Sequence, residues 1–188
     1  MATFGYDNAS AAESSLSTTA EAEGTKWQVP ADCTSIISFS IRCRIASGAG
    51  NIKGLLQTVS GTTYTQVAAT PAVAIPVAAN LTAAGLTTLT FSSPPAVTPG
   101  ATVLLAFITD GAVTVYYGQD ALAGSNLIFD SGNNYTTPEN MTGGTAYNFQ
   151  DTVLANYTPT SSTKPGMTVN RGVARGISRG AVRYPTKR

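Results

Sequence analysis

The chain contains no histidine. That removes the commonest general base and the commonest metal ligand. A Ser-His-Asp triad and a Cys-His pair are both excluded. Charge is scarce, with 11 Lys and Arg and 10 Asp and Glu in 188 residues. Cysteine is rarer still, at Cys33 and Cys43 alone. On one strand those two would lie roughly 33 Å apart, far beyond disulfide reach. The segment between them has no turn signal, so two reduced thiols are expected, with Cys43 in the core. No apolar run approaches the roughly 20 residues of a membrane helix. Met1-Ala2-Thr3-Phe4 runs directly into polar residues, which is not a secretory pattern, and synthesis in a cytoplasm is expected.

What is present is Ser, Thr, Ala and Gly in quantity, and enough apolar residues (43%) to bury a core. One domain with a tail fits this length. The charge is divided unevenly. Residues 164–188 hold seven of the eleven basic residues and no acidic one. The rest holds four basic and ten acidic residues, so a body of net charge −6 carries an arm of +7.

The body reads as strands. Ile37 to Ile45 alternates apolar and polar, which places Ile37, Phe39, Ile41, Cys43 and Ile45 inward on one half-buried strand. Thr102 to Ile108 is continuously apolar, as in a strand covered on both faces. Asp110-Gly111 then precedes Val113 to Tyr117 and predicts a hairpin. Leu86 to Phe91 is a further strand, ended by Ser92-Ser93-Pro94-Pro95, with a turn at Thr98-Pro99-Gly100. Tyr147 to Tyr157 supplies a last strand or pair. Asn80 to Ala84 fits one helical turn stopped by Gly85. Ala9 to Ala22 has no apolar stripe and is expected to be an extended loop. Many short strands between Gly/Pro turns predict an all-β, antiparallel jelly-roll β-sandwich. The boundaries expected are 1–157 for the sandwich, 158–169 for a Ser/Thr/Pro linker and 170–188 for an extended basic C-terminal arm.

Several segments carry a resemblance. Thr3-Phe4-Gly5-Tyr6, Gly50-Asn51-Ile52-Lys53, Thr87-Thr88-Leu89-Thr90-Phe91, Leu104 to Gly111 and Ala155-Asn156-Tyr157 resemble a jelly-roll module of tailed-phage structural proteins. The likeness covers about residues 2–157 and leaves the arm outside it. The module is similar to carbohydrate-binding β-sandwiches and recurs in capsid decoration (cement) proteins and tail fibres. The resemblance implies a virion structural protein or a glycan-binding module.

In the arm, Arg171, Arg175, Arg179 and Arg183 recur every fourth residue, and Gly172, Gly176 and Gly180 follow the first three. Each interior glycine costs a helix about 1 kcal/mol, which argues against a helical arm. As a strand, the arginines share one side with Val173, Ile177 and Ala181, and small residues line the other. That suits a docked strand, with Tyr184, Lys187 and Arg188 completing the contact set. A solvated basic tail is the plain alternative. Phosphate binding is another, but no aromatic is interleaved before Tyr184, and nucleic acid is not the expected partner.

Other clusters are weaker. Asp130-Ser131-Gly132-Asn133-Asn134 is rich in oxygen but lacks the spacing and closing Glu of a calcium loop, and reads as a turn. Tyr64, Tyr116, Tyr117, Tyr135 and Tyr147 are candidates for a sugar platform, against the plainer reading of core and surface tyrosines. Tyr116 and Tyr117 must face opposite sides of a strand. Trp27 is expected in the core. Glu21 and Glu23 share a strand face and are expected to face solvent, because glycoside hydrolysis needs two carboxylates across a cleft.

The expectation is therefore a non-enzymatic virion protein without metal or cofactor. Its expected partners are a major capsid protein or other virion subunits, with a homo-oligomer, a trimer by preference, and no membrane. The alternatives are a glycan-binding module of a tail fibre or baseplate, and a small coat protein with a genome-binding arm.

Overall fold

A computed structural model describes residues 1–17, 21–122, 127–142 and 145–160. In chain order the described strands are β1 (Ala2–Gly5), β2 (Ala12–Leu16), β3 (Ala22–Gln28), β4 (Ser38–Ile41), β5 (Cys43–Ile45), β6 (Asn51–Ser60), β7 (Thr63–Ala69) and β8 (Val73–Ala74). After the single turn of α1 (Leu81–Ala84) come β9 (Thr87–Thr90), β10 (Thr102–Thr109), β11 (Val115–Ala121), β12 (Leu127–Asp130), β13 (Thr145–Tyr147), β14 (Phe149–Asp151) and β15 (Val153–Tyr157). All strand pairings are antiparallel. The expected all-β, antiparallel class is what the chain adopts.

One sheet runs β13-β12-β3-β10-β6-β7, with β8 also on β6. A second runs β1-β15-β4-β9, and a third runs β14-β11-β2, with β5 also on β11. The second and third sheets meet at one junction. Arg42 separates β4 from β5, and Thr152 separates β14 from β15. There Arg42 N–H donates to Thr152 O (3.2 Å), Thr152 N–H to Gly118 O (2.9 Å) and Gly118 N–H to Arg42 O (3.2 Å). A Cβ on Gly118 would lie 2.6 Å from Thr152 Oγ1, so glycine permits this approach.

One core lies among all three sheets. It takes Phe39, Ile41, Leu89, Val153 and Tyr157 from the second, Leu16, Cys43, Ile45, Val115 and Tyr117 from the third, and Ile52, Leu56, Val103, Leu105 and Phe107 from the first. A smaller cluster covers the opposite face of the first sheet, where Leu104, Ala106 and Ile108 meet Tyr64, Ile128 and Met141. Strand β10 thus feeds alternate residues to two cores, as its unbroken apolar run predicts.

The one-turn helix stands where expected. The Asn80 side chain accepts Ala83 N–H at its start, and Gly85 ends it at φ 69°. Leu86–Phe91 holds as β9, an edge strand on β4. Cys33 and Cys43 are both free and buried, and burial pushes the Cys43 thiol up to about 11.

Four expectations need correction. The Ala9–Ala22 segment contains strand β2, because β11 offers it a ladder from Val115↔Leu16 to Gln119↔Ala12. Ile37–Ile45 is two strands in two sheets, and Ile37 is only half-buried while Ile36 is fully buried. Tyr147–Tyr157 holds parts of three strands, one in each sheet. Asp110-Gly111 does not close a hairpin, because both edges of β10 are already taken by β3 and β6. The Asp110 carboxylate instead accepts the Asn51 backbone and side-chain N–H groups (2.9 and 2.8 Å), pinning the end of β10 to the start of β6. Part of the linker and the whole arm lie outside the described residues.

Candidate functional site

The site begins with an alternation on β3. Ala22 faces the smaller cluster, so Glu23, Thr25 and Trp27 face the main core. Register places Phe107 on one side of Glu23 and Phe129 on the other, and sets Thr25 between Leu105 and Leu127. Two polar side chains therefore sit in apolar rows. Glu23 is 4% exposed, and Thr25 is fully buried.

The third sheet supplies their partners. The Tyr117 hydroxyl donates to Glu23 Oε2 and lies 2.9 Å from Ser14 Oγ. Gln119 Nε2 donates to Glu23 Oε1 at 2.6 Å. Asp151, at the end of β14, is fully buried beside them. Its backbone N–H donates to Thr25 Oγ1 (2.8 Å), and Thr25 Oγ1 lies 3.1 Å from Asp151 Oδ2. Asp151 Oδ1 is buried with no hydrogen-bond partner. Burial pushes the Glu23 carboxyl up to about 7, against its hydrogen bonds with Tyr117, Asp151 and Gln119. Burial, and then the neighbouring Glu23, raise the Asp151 carboxyl well above the ordinary carboxylate range. The Tyr117 phenol is raised too, by burial and the same carboxylate.

Above Glu23 the first and third sheets part in an open cleft of about 270 Å³. Its floor is Ser14, Ser15, Glu23, Tyr117 and Gln119, and its walls are Leu127, Phe129, Tyr147 and Phe149. Tyr147 and Phe149 are 43% and 39% exposed. An acidic floor beneath an aromatic rim favours a ligand with positive charge and flat or apolar surface. It does not place two carboxylates across a bond to be broken, because Asp151 is behind Glu23 and does not line the cleft.

The body's four cations are all engaged elsewhere. Arg42 pairs with Asp7, and Arg44 with Glu13 at 2.8 and 2.6 Å. Lys26 lies over the Tyr64 ring at 5.5 Å. Lys53 lies over the Tyr135 ring at 4.4 Å and donates to Tyr135 O.

The proposed tyrosine platform is dispersed. Tyr64 is buried in the smaller cluster, and Tyr135 packs against that cluster. Tyr117 is buried in the main core and forms the cleft floor, while Tyr116 points away beneath Arg44 (4.3 Å). Only Tyr147, from that set, stands at the cleft mouth. The Asp130–Asn134 segment is a turn, as expected, and the Asp130 oxygens accept backbone N–H groups of Gly132 (2.8 Å) and Thr142 (2.9 Å). Trp27 is only partly buried against the main core. Arg171, Gly172, Arg175, Gly176, Arg179, Gly180, Arg183, Tyr184, Lys187 and Arg188 lie outside the described residues.

The expectation that Glu23 faces solvent is overturned. The signal is present in the sequence: Trp27 is an expected core residue, and Glu23 and Thr25 share its strand face. Asp151 gave no comparable signal, because its burial depends on where β14 passes β3. No helix among the described residues is long and apolar enough to cross a membrane. Comparison of the chain with protein-family models, curated proteins and solved structures found no match.

Proposed function

We propose that this chain is a non-enzymatic structural protein of a virion, a capsid decoration (cement) protein. Its jelly-roll body sits on the assembled shell, as a trimer by preference, and its C-terminal arm docks on neighbouring subunits. The observation that carries this reading is the segregation of charge. A body of net −6, whose own cations are all engaged, is joined to an arm of +7. Such an arm gains by contact with other acidic surface, and its Arg-Gly repeats combine long donors with close backbone approach. A protein that binds only the assembled shell stabilises it by mass action.

The cleft favours a second reading, a glycan-binding module of a tail fibre or baseplate. Exposed Tyr147 and Phe149 above polar Gln119, Ser14 and Ser15 are groups that hold sugars by stacking and hydrogen bonds. A coat protein with a genome-binding arm draws on the arm's charge alone.

One pair of measurements separates the readings. The full chain is mixed with purified particles of the virus that encodes it and sedimented through a density gradient, and the same protein is applied to a glycan array. The decoration reading expects saturable co-sedimentation with particles and an array at background. A strong array signal, abolished by Tyr147→Ala, with no particle binding, would replace it by the glycan reading.

A further inference from the structure

The floor of the cleft carries one acid, Glu23, and a second acid, Asp151, is buried behind it. Glu23 and Asp151 are buried side by side, and among the described residues no basic side chain meets either. All four cations of the body are engaged at other places. Segments 18–20, 123–126 and 143–144 contain no charged residue. The positive side chains left in this protein are the seven of residues 164–188.

We propose that the cleft is the receptor for an arginine of the C-terminal arm of a second copy of this chain. This rests on the reading above that the arm docks on a neighbour, and it names the neighbour and the surface.

A guanidinium matches the cleft in three respects. It brings five N–H donors to a floor that offers the Glu23 carboxylate, the Gln119 amide oxygen and the hydroxyls of Ser14, Ser15 and Tyr117. Its flat face stacks on aromatic rings, here Phe129, Tyr147 and Phe149. A cavity of about 270 Å³ takes one side chain rather than a larger ligand. Each of the first three arm arginines is followed by glycine, so the backbone beside the inserted side chain can lie close to the rim.

The direction of the chain favours a second copy. Thr160 is held on Asp32, through its N–H (2.9 Å) and its hydroxyl (3.0 Å) to Asp32 O. Asp32 lies beyond the C-terminal end of β3, and Glu23 lies at the start of that strand. The strand's rise separates those ends by about 20 Å. The arm therefore leaves the body at the end away from its own cleft. Entering its own cleft would turn residues 161–170 back along the body, whereas the outward course leads to a neighbour; their span of at most about 35 Å permits both, and sedimentation separates them. Head-to-tail insertion into the next copy is a heterologous contact, and it closes into a ring or runs along a surface.

The test uses three full-length proteins in sedimentation velocity at micromolar concentration: the unaltered chain, a cleft variant (E23Q/D151N) and an arm variant (R171Q/R175Q/R179Q/R183Q). A second cleft variant, Y147A/F149A, changes only the exposed rim and guards against misfolding of the first. The unaltered chain is expected to self-associate, with the association lost in 0.5 M salt. Each variant alone is expected to lose at least tenfold in association. An equimolar mixture of a cleft variant and the arm variant is expected to form one-to-one dimers, because intact arms then meet intact clefts. Cleft variants that associate like the unaltered chain, while the arm variant does not, would overturn this receptor and leave arm docking standing. An unaltered chain that stays monomeric would overturn the second-copy assignment.

Discussion

Lowering the pH from 8 to 5 is expected to stabilise this protein by roughly 2–3 kcal/mol, and Glu23→Gln to remove most of that gain. The Glu23 carboxyl titrates near 7 in the folded chain, against an ordinary value of 4.5. Between those values the folded state keeps a proton that the unfolded state releases. The favourable contribution is complete below about 4.5 and is lost as the pH rises through about 7. The full displacement corresponds to roughly 3 kcal/mol, and the fall from pH 8 to pH 5 recovers most of it. Asp151 is displaced in the same direction and adds to the trend. Glu13 is displaced the other way by Arg44, but its contribution is lost only as the pH falls below the ordinary carboxylate range. Denaturant midpoints at pH 5 and pH 8 in 0.5 M salt, where arm contacts are screened, measure the effect. The glutamine variant should be more stable than the unaltered chain at pH 8, since its amide accepts the Tyr117 hydroxyl without a buried charge. An unchanged pH dependence in Glu23→Gln would remove this residue from the explanation.

Phe107→Ala is expected to cost about 3–5 kcal/mol, lowering the melting temperature by roughly 10 °C or more. Phe107 is 1% exposed on β10, stacks edge-on to Tyr117 with ring centroids 5.0 Å apart, and lies beside Glu23 in the strand register. Removing the ring leaves a void at the centre of the main core and frees the tyrosine that holds Glu23. Phe107→Leu keeps most of the volume and should cost about 1.5 kcal/mol or less. Calorimetry of the two variants checks both figures. An alanine variant as stable as the leucine one would mean that the site collapses without loss.

The strands were legible where burial is decided locally. The unbroken run of β10 and the alternation of Phe39, Ile41, Cys43 and Ile45 foretell their faces, and Asn80 and Gly85 foretell the helical turn. Sheet membership was not legible. Nothing within Ile37–Ile45 says that the chain leaves one sheet for another at Arg42. The reason is the meeting of Arg42 with Gly118 and Thr152, far away in sequence. The Asp110-Gly111 turn misled for a related reason: hairpin chemistry is local, but β10 had no free edge to accept β11. Of the site, the inward faces of Glu23 and Thr25 follow from Trp27, whereas Tyr147 and Phe149 at the rim and Asp151 behind Glu23 are gathered only by the meeting of two sheets.

The most direct test of the central claim removes residues 164–188. The shortened chain should keep the thermal unfolding of the whole protein, because all the described strands and both apolar clusters lie before that segment. Its occupancy on purified particles, measured against the full chain at equal concentration, should fall at least tenfold. Arginine-to-lysine replacement across the arm should weaken attachment less than arginine-to-glutamate replacement, since lysine keeps the charge and loses only the fork of donors. A shortened chain that decorates particles as fully and as stably as the whole one would contradict the account.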